Sequence, residues 1–424
     1  MERITNTSNG IRIYDYCNTH LHSFCICIYV RAGILFENGE HTGISHLWEH
    51  MVFKNINALL GRDMAKRLDQ MGAYFNACTY KELVEFKIAA ASKYYEECAR
   101  MICRVFDEFA ITEEEFETEK KRVKSEIREE DEKKSIDYQG NKRVWKGTSL
   151  EKSVAGFIRD VNRITLEDIK AYHREVCVAD NIFVYVTGKY TRENMSLFRE
   201  IIEEKHFYDG TLRNNCAPVP KKMFRRNATV VAKKSDVYEV RFSFDIDKSK
   251  CLQTEIDLLY SMMFSGESSK VFEELSDKTG LVYSYDSAME VYENVGCMYF
   301  SYMVKGKNLK KSIGLVMKLI CDMREDIESL LKLAKQPYLD NTELELDDAQ
   351  GLNWMMAYES HVLGCGYKNI EERKKAYVSV TKERMLEVTK EVLQPDNMVV
   401  NIGSKKNKVK AEDIRGMLLQ AFDK

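Results

Sequence analysis

The chain is 424 residues long, 44% hydrophobic and 31% charged, with a formal net charge of -3. That length exceeds one ordinary core and fits roughly two to four domains. The near-neutral balance lacks the basic excess that nucleic acid would demand, and no apolar run approaches the roughly 18 residues of a membrane helix.

The opening residues, Met1 to Asn6, lack an apolar signal core, so a cytoplasmic protein is expected. The 12 cysteines are scattered without a C-x-x-C, which argues for a reduced chain and against a disulfide framework or a cysteine zinc cluster. Asn9 to Tyr14 reads as a turn leading into a strand, and His22 to Val30, rich in β-branched and aromatic residues, as a second strand.

After a loop rich in Gly, Asn and His comes Gly-Ile-Ser-His-Leu-Trp-Glu-His-Met-Val-Phe, residues 43–53, which predicts a helix with Thr42 placed to cap it. On such a helix His46 and His50 lie about 40° apart around the axis and one turn apart along it, so both imidazoles can reach one ion. Glu49, about 60° round the other side of His46, can face the ion's open position. This H-x-x-E-H order inverts the commoner zinc-protease helix; it needs two neutral imidazole ligands and a carboxylate that does not bind metal. Two core histidines satisfied by backbone are the plain alternative, and a third ligand would decide against it.

Asp63 to Gln70 predicts a helix stopped by Gly72, Tyr74 to Thr79 and Leu83 to Ala91 a pair of strands, and residues 93–109 one helix. Thr112 to Glu115 is a capping-box pattern that starts the next helix, whose apolar stripe is Phe116, Val123 and Ile127. Glu113, Glu114, Glu129 and Glu130 fit a solvated face. Glu119 and Glu126, two turns apart on nearly one line, fall within the arc of the stripe, and a carboxylate on a buried side needs a partner. Glu126 is therefore a candidate third ligand beside His46 and His50, because catalytic zinc usually takes three protein ligands and leaves one position open. Glu119, about 10 Å away along the axis, is placed to orient a ligand from behind.

Ile164 to Ile169 opens a capped helix, Asp180 to Gly188 reads as a strand, and Arg213 to Lys222, with Pro218 and Pro220, is the best linker. Beyond it the pattern repeats: Thr381 and Asn397 lie 216 residues after Thr165 and Asn181, Phe264 lies 211 after Phe53, and Gly280 lies 208 after Gly72. At the offset of 211, His46, Glu49 and His50 become Asp257, Tyr260 and Ser261, which form no zinc helix. One half carries the site. Strands and long helices mix without regular alternation, which favours an α+β fold. The expected domains are 1–213, catalytic and zinc-binding; 214–222, linker; and 223–424, homologous and non-catalytic.

His46-Leu47-Trp48-Glu49-His50, followed 76 residues after His50 by Glu126, resembles the pitrilysin-type zinc peptidases. The length and duplication resemble the branch containing mitochondrial processing peptidase and its bacterial relatives. That resemblance implies two homologous α/β-sandwich domains of the LuxS/processing-peptidase-like metalloenzyme type. It implies Zn2+ held by His46, His50 and Glu126, Glu49 as the general base that activates water, and Glu119 as the accessory glutamate. It also implies that Asn76 and Ala77, with Thr79 and Glu82 nearby, form an edge strand holding an extended peptide. Family members pair such chains into a clam-shell enclosing a chamber, so a homodimer or a heterodimer with a related inactive sibling is expected. There are departures: Ser276 stands where relatives often carry an Arg seven residues before a substrate-binding Tyr, here Tyr283, and Phe86 replaces a frequent Tyr.

The expected function is that of a zinc endopeptidase cleaving peptides or unfolded segments, with no nucleic-acid or membrane partner. The alternative is a non-catalytic scaffold subunit of a heterodimeric processing peptidase. Loss of a ligand or of the base would favour it, and all four residues are present. A purely structural zinc site would want a fourth protein ligand, and none is evident.

Overall fold

The computed structural model describes residues 2–37, 41–129, 135–211, 228–232, 237–323, 326–394, 397–404 and 410–422. The first half of the chain runs through β1 (Arg3–Asn6), β2 (Arg12–Cys17), β3 (Ser23–Val30), α1 (Ile44–Leu59), α2 (Met64–Met71), β4 (Tyr74–Thr79) and β5 (Val84–Ala91). It continues with α3 (Tyr95–Ile102), α4 (Glu113–Glu129), α5 (Ile136–Val144), α6 (Ile158–Val161), α7 (Leu166–Val176), β6 (Ile182–Gly188) and α8 (Arg192–Glu203). The second half holds β7 (Ala228–Ala232), β8 (Val237–Asp247), α9 (Gln253–Met263), α10 (Lys270–Phe272), β9 (Val282–Val291), β10 (Val295–Lys305) and α11 (Leu309–Asp322). It ends with α12 (Ile327–Leu346), α13 (Ala349–Ala357), α14 (Ile370–Ser379), α15 (Lys382–Val392), β11 (Met398–Ser404) and α16 (Ala411–Phe422).

The chain divides into two compact units, each taking one segment from the other half. The first comprises Met1–Glu130, Lys152–Cys216 and Thr342–Ile370; the second comprises Asp131–Glu151, Ala217–Asn341 and Glu371–Lys424. The expected linker, 214–222, lies outside the described residues.

The two sheets make the duplication plain. The first is six-stranded in the order β1-β2-β6-β3-β5-β4, and the second five-stranded in the order β7-β11-β8-β10-β9. Leaving out β1, the orders correspond strand for strand. So do the directions: one parallel pair, β2 with β6 and β7 with β11, is followed in both by three antiparallel pairs. Gly72 and Gly280 take the same left-handed conformation, φ +57° and +58°, which favours glycine in both copies of this turn. The fold is α+β, built of two homologous halves.

In the first unit the strands bury both faces. One face packs on α1, α3, α4, α7 and α8 through Ile26, Ile28, Trp48, Met51, Phe86 and Ile102, among others. The other face carries Cys25, Cys27, Tyr29 and Tyr185 and is covered by α13 through Leu352 and Met356. Asn353 of α13, fully buried, fastens that cover: its Nδ2 donates to the Tyr185 carbonyl at 2.9 Å, and its Oδ1 accepts from the Tyr29 hydroxyl at 3.0 Å. In the second unit α5 is fastened by Arg241, which donates to the Asp137 carboxylate at 3.0 Å and to Asn141 Oδ1 at 2.6 Å. Gly140 has no room for a Cβ there, since one would stand 2.7 Å from Arg241 Nε.

One expected helix is shorter. Residues 93–109 are helical as α3 and then tighten into a 3-10 turn, Cys103–Phe106. The chain leaves the helix because buried Asn55 of α1 takes the backbone beyond it, donating to the Glu108 carbonyl at 3.0 Å and accepting from the Ala110 amide at 2.7 Å.

Replacing Asn353 with Leu, which keeps the volume but strands the partners of its amide, should lower stability by about 2 kcal/mol in urea unfolding. An unchanged midpoint would show that the amide does not fasten α13.

Candidate metal centre

Helix α1 begins where Gly43, at φ +91°, turns the chain; a Cβ there would lie 2.8 Å from the Ala155 carbonyl. Thr42, expected as the cap, does not cap it. Instead Glu37 accepts from the amides of Gly43, at 2.8 Å, and Ser45, at 3.0 Å, so a carboxylate from outside the helix serves its positive end. Burial pushes Glu37 above its ordinary range, and those two amides pull it back.

The apolar stripe Ile44, Leu47, Trp48, Met51, Val52 and Ile56 is buried and fixes the rotation of α1. Behind it Trp48 Nε1 donates to His173 Nδ1 of α7 at 3.2 Å. Phe86 stands edge-on to Trp48 with ring centroids 5.5 Å apart, inside the apolar core.

His46, Glu49 and His50 emerge along one flank of this helix. The two rings lie 4.8 Å apart between centroids. Helix α4 reaches the same point because Phe116 and Val123 are buried and Lys120 ties it down, its Nζ donating to the Ile164 carbonyl at 2.7 Å and that of Asn162 at 3.1 Å. Ligand atoms of His46, His50 and Glu126 all fall within 4.8 Å of one another. His50 Nε2 is 3.6 Å from Glu126 Oε2, and Glu126 is 46% exposed.

Glu119 meets His50 from behind, its Oε1 3.1 Å from Nδ1. If Nδ1 carries the proton, the Nε2 lone pair turns toward Glu126, the arrangement that a carboxylate behind a metal-binding histidine imposes on its ring. The hydrogen bond to His50 holds Glu119 below its usual range against its burial, with Arg122 and Lys54 adding to the effect. His46 is pushed down to about 4 by burial, aided by His50, so it is a neutral imidazole at pH 7. Its buried Nδ1 has no hydrogen-bond partner. Two imidazoles and a carboxylate, with an orphaned polar atom among them, fit a zinc ion in chemistry and number.

Glu49 Oε2 accepts from the Thr79 hydroxyl at 2.5 Å. Burial raises Glu49 above the ordinary carboxylate range, with Thr79 and His50 pulling the other way. Thr79 ends β4, the outermost strand of the sheet. Phe75 packs on Phe53 of α1, with ring centroids 4.9 Å apart. Along the alternating strand Tyr74, Asn76 and Cys78 are exposed, and Asn76 Nδ2 donates to the Tyr74 hydroxyl at 2.8 Å. Ala77 is half-buried on the α1 side.

Glu82 does not share this edge. It is 4% exposed and accepts from the Tyr358 hydroxyl at 3.0 Å, a structural link within the first unit. Tyr283 lies in β9 and Ser276 in a helical turn of the second unit, and the Tyr283 side chain is outside the described residues. Sequence reasoning missed Glu37 and His173, which lie far along the chain from their targets with no periodicity to mark them. It placed Thr79 on the edge segment without seeing its bond to Glu49.

The second unit has other residues at the corresponding positions. Asp257 accepts from the Tyr377 hydroxyl at 2.6 Å and from Gln253 at 2.8 Å, and the Tyr260 hydroxyl is 2.9 Å from Ser287 Oγ.

An inverted H-x-x-E-H helix with a distant Glu, on one half of a duplicated α+β fold, defines the scaffold of a pitrilysin-type peptidase. Residues 18–156 match the family described as insulinase, peptidase family M16, and residues 163–336 match the peptidase M16 inactive domain. The chain belongs to this pitrilysin-type peptidase family. It is similar to an uncharacterised zinc protease of Rickettsia bellii, 21% identical over 86% of this chain and 87% of that one. It also resembles a probable mitochondrial-processing peptidase subunit beta of Arabidopsis thaliana, 21% identical over 46% of this chain and 37% of that one. A protease structure from Helicobacter pylori shares the fold, with a TM-score of 0.82 and 17% identity over 95% of this chain and 99% of that one.

Burial behind α1 has a pH signature. His173 is pushed down from 6.5 to about 4 by burial, so the folded chain keeps it neutral while the unfolded chain takes up a proton below 6.5. Stability is then full above that value and is lost as pH falls toward 4, by about 2 kcal/mol between pH 7 and 5. His173→Gln, which keeps an acceptor for Trp48, should flatten this part of the profile in urea titrations of metal-free protein; an unchanged slope would assign the loss elsewhere.

Proposed function

We propose that this chain is a zinc-dependent endopeptidase that cuts peptides or unfolded polypeptide segments. The observation that carries the reading is the convergence of His46, His50 and Glu126 from two helices beside a carboxylate, Glu49, that is held from another side by β4. Family membership supports it, as does the name zinc protease borne by relatives.

His46, His50 and Glu126 are the ligands in this reading, and zinc, when bound, supplies the Lewis acidity that polarises the scissile carbonyl and acidifies a water. Glu49 takes the proton of that water and passes it to the leaving amine. Glu119 keeps the His50 ring oriented by holding Nδ1. The substrate lies extended along the outer edge of β4, past Asn76 and Ala77, pairing through its main chain, which reads backbone more than side chains. Tyr283 is the contact we assign to the second half, and Glu82, buried under Tyr358, has no part in it.

By the family's pattern, two such chains close a chamber around the peptide, as a homodimer or with a related inactive sibling. We place the protein in the cytoplasm. Every cysteine among the described residues is free, which suits a reducing compartment, and no helix among them is long and apolar enough to cross a membrane. The alternative, a non-catalytic partner subunit, draws on the inactive-domain match, but residues 163–336 contain the stretch in which Asp257 and Tyr260 stand in place of His46 and Glu49.

Purified protein with zinc should cut members of a peptide library, mapped by mass spectrometry, and a chelator should stop it. Glu49→Gln should keep its bound zinc, measured by elemental analysis, while turnover falls about 10²- to 10⁴-fold. Cleavage at the native rate by this variant would refute the role of Glu49, and a zinc-loaded native chain that cuts nothing alone or with a related sibling would favour the scaffold reading.

A further inference from the structure

We infer that Thr79 is a positioning residue: its hydroxyl decides which oxygen of Glu49 meets the water, and it ties that choice to the strand on which the peptide lies. This rests on the peptidase reading above. Thr79 is the final residue of β4, and its partner on the inner side is Val84 of β5, so the outer side of the strand is the free edge of the sheet. Its Oγ1 lies 2.5 Å from Glu49 Oε2. An ionised carboxylate only accepts, so the threonine donates. With Oε2 engaged, Oε1 is the oxygen left to take the proton, and the flexible glutamate side chain is pinned at its far end.

The second unit supplies an independent observation. There β9 holds the outermost place that β4 holds in the first sheet. Its Ser287 lies 2.9 Å from Tyr260 of α9, and these residues follow Thr79 and Glu49 by 208 and 211 positions, the offsets already found for Gly280 and Phe264. The hydroxyl contact between edge strand and helix therefore survives where the metal residues are absent, so it belongs to the duplicated architecture. The first unit turns it onto a carboxylate. A peptide paired with the outer edge of β4 is thus registered by the same strand residue that holds the base, which couples the choice of scissile bond to the position of Glu49.

Thr79→Val keeps the β-branched shape and removes the donor, whereas Thr79→Ser keeps the donor. In the zinc-loaded full chain, acting on a peptide it cleaves in the library, Thr79→Val should lower kcat by about 10- to 100-fold with KM within about twofold, and Thr79→Ser should recover kcat to within about threefold. An unchanged kcat in the valine variant, a loss confined to KM, or a loss that serine does not recover would overturn the inference. A second readout needs no turnover: in crystal structures of the native and Thr79→Val chains without metal or substrate, the Glu49 carboxylate should leave its place beside β4 only in the variant. An unmoved carboxylate overturns the positioning role whether or not the chain cuts peptides, while a native chain that cuts nothing counts against the peptidase reading alone.

Discussion

Burial of the apolar stripe of α1 against the six-stranded sheet is the constraint from which the site follows. Once Leu47, Trp48, Met51 and Val52 are committed to the core, helix geometry leaves His46, Glu49 and His50 no freedom but to emerge along one flank. Taking imidazoles and carboxylates out of water costs free energy unless each finds a partner. The fold meets that demand from four directions: Glu37 at the helix start, His173 behind, Glu119 from α4 and Thr79 from β4. Among the described residues, His46 Nδ1 and His173 Nε2 are buried without a hydrogen-bond partner, the first on a residue of the candidate metal cluster. The stability of the scaffold and the reactivity of the site are thus consequences of one packing decision.

The duplication shows how much of this arrangement is architecture and how much is chemistry. The two sheets share strand order and direction, the same left-handed glycine, and an edge-strand hydroxyl touching the helix beneath. They differ in the polar residues at the corresponding helix positions. In the first unit two of them, His46 and His50, come together with Glu126 as three candidate metal ligands; in the second, Asp257 is satisfied by Tyr377 and Gln253. The second half satisfies the corresponding position within its own unit, whereas in the first the ligand atoms of His46, His50 and Glu126 face one another. The segment exchange between the halves also has a simple cause. Each sheet buries a second face, and the helix that covers it, α13 in one unit and α5 in the other, is fastened by buried polar side chains, Asn353 and Thr187 in the first and Arg241 in the second.

The sequence alone determined whatever depends on short-range geometry. The spacing of His46, Glu49 and His50 set them on one helix face; the seven-residue interval from Glu119 to Glu126 set both on one line of α4, although only Glu119 is buried there and Glu126 is exposed; Gly72 ended a helix because it could take a positive φ; and constant offsets disclosed the repeat. These inferences need only helix periodicity and residue chemistry. Only the tertiary structure decided what depends on partners distant in the chain. It put Glu126 beside His50, replaced Thr42 by Glu37 as the cap of α1, drew residues 107–110 out of a helix onto Asn55, buried Glu82 under Tyr358, and aimed the Thr79 hydroxyl at Glu49. None of these carries a local signal, because a carboxylate or hydroxyl has the same propensity whether water or a residue a hundred positions away satisfies it. The pattern of the chain thus named the candidate ligands, and packing alone could tell which neighbours hold them in place.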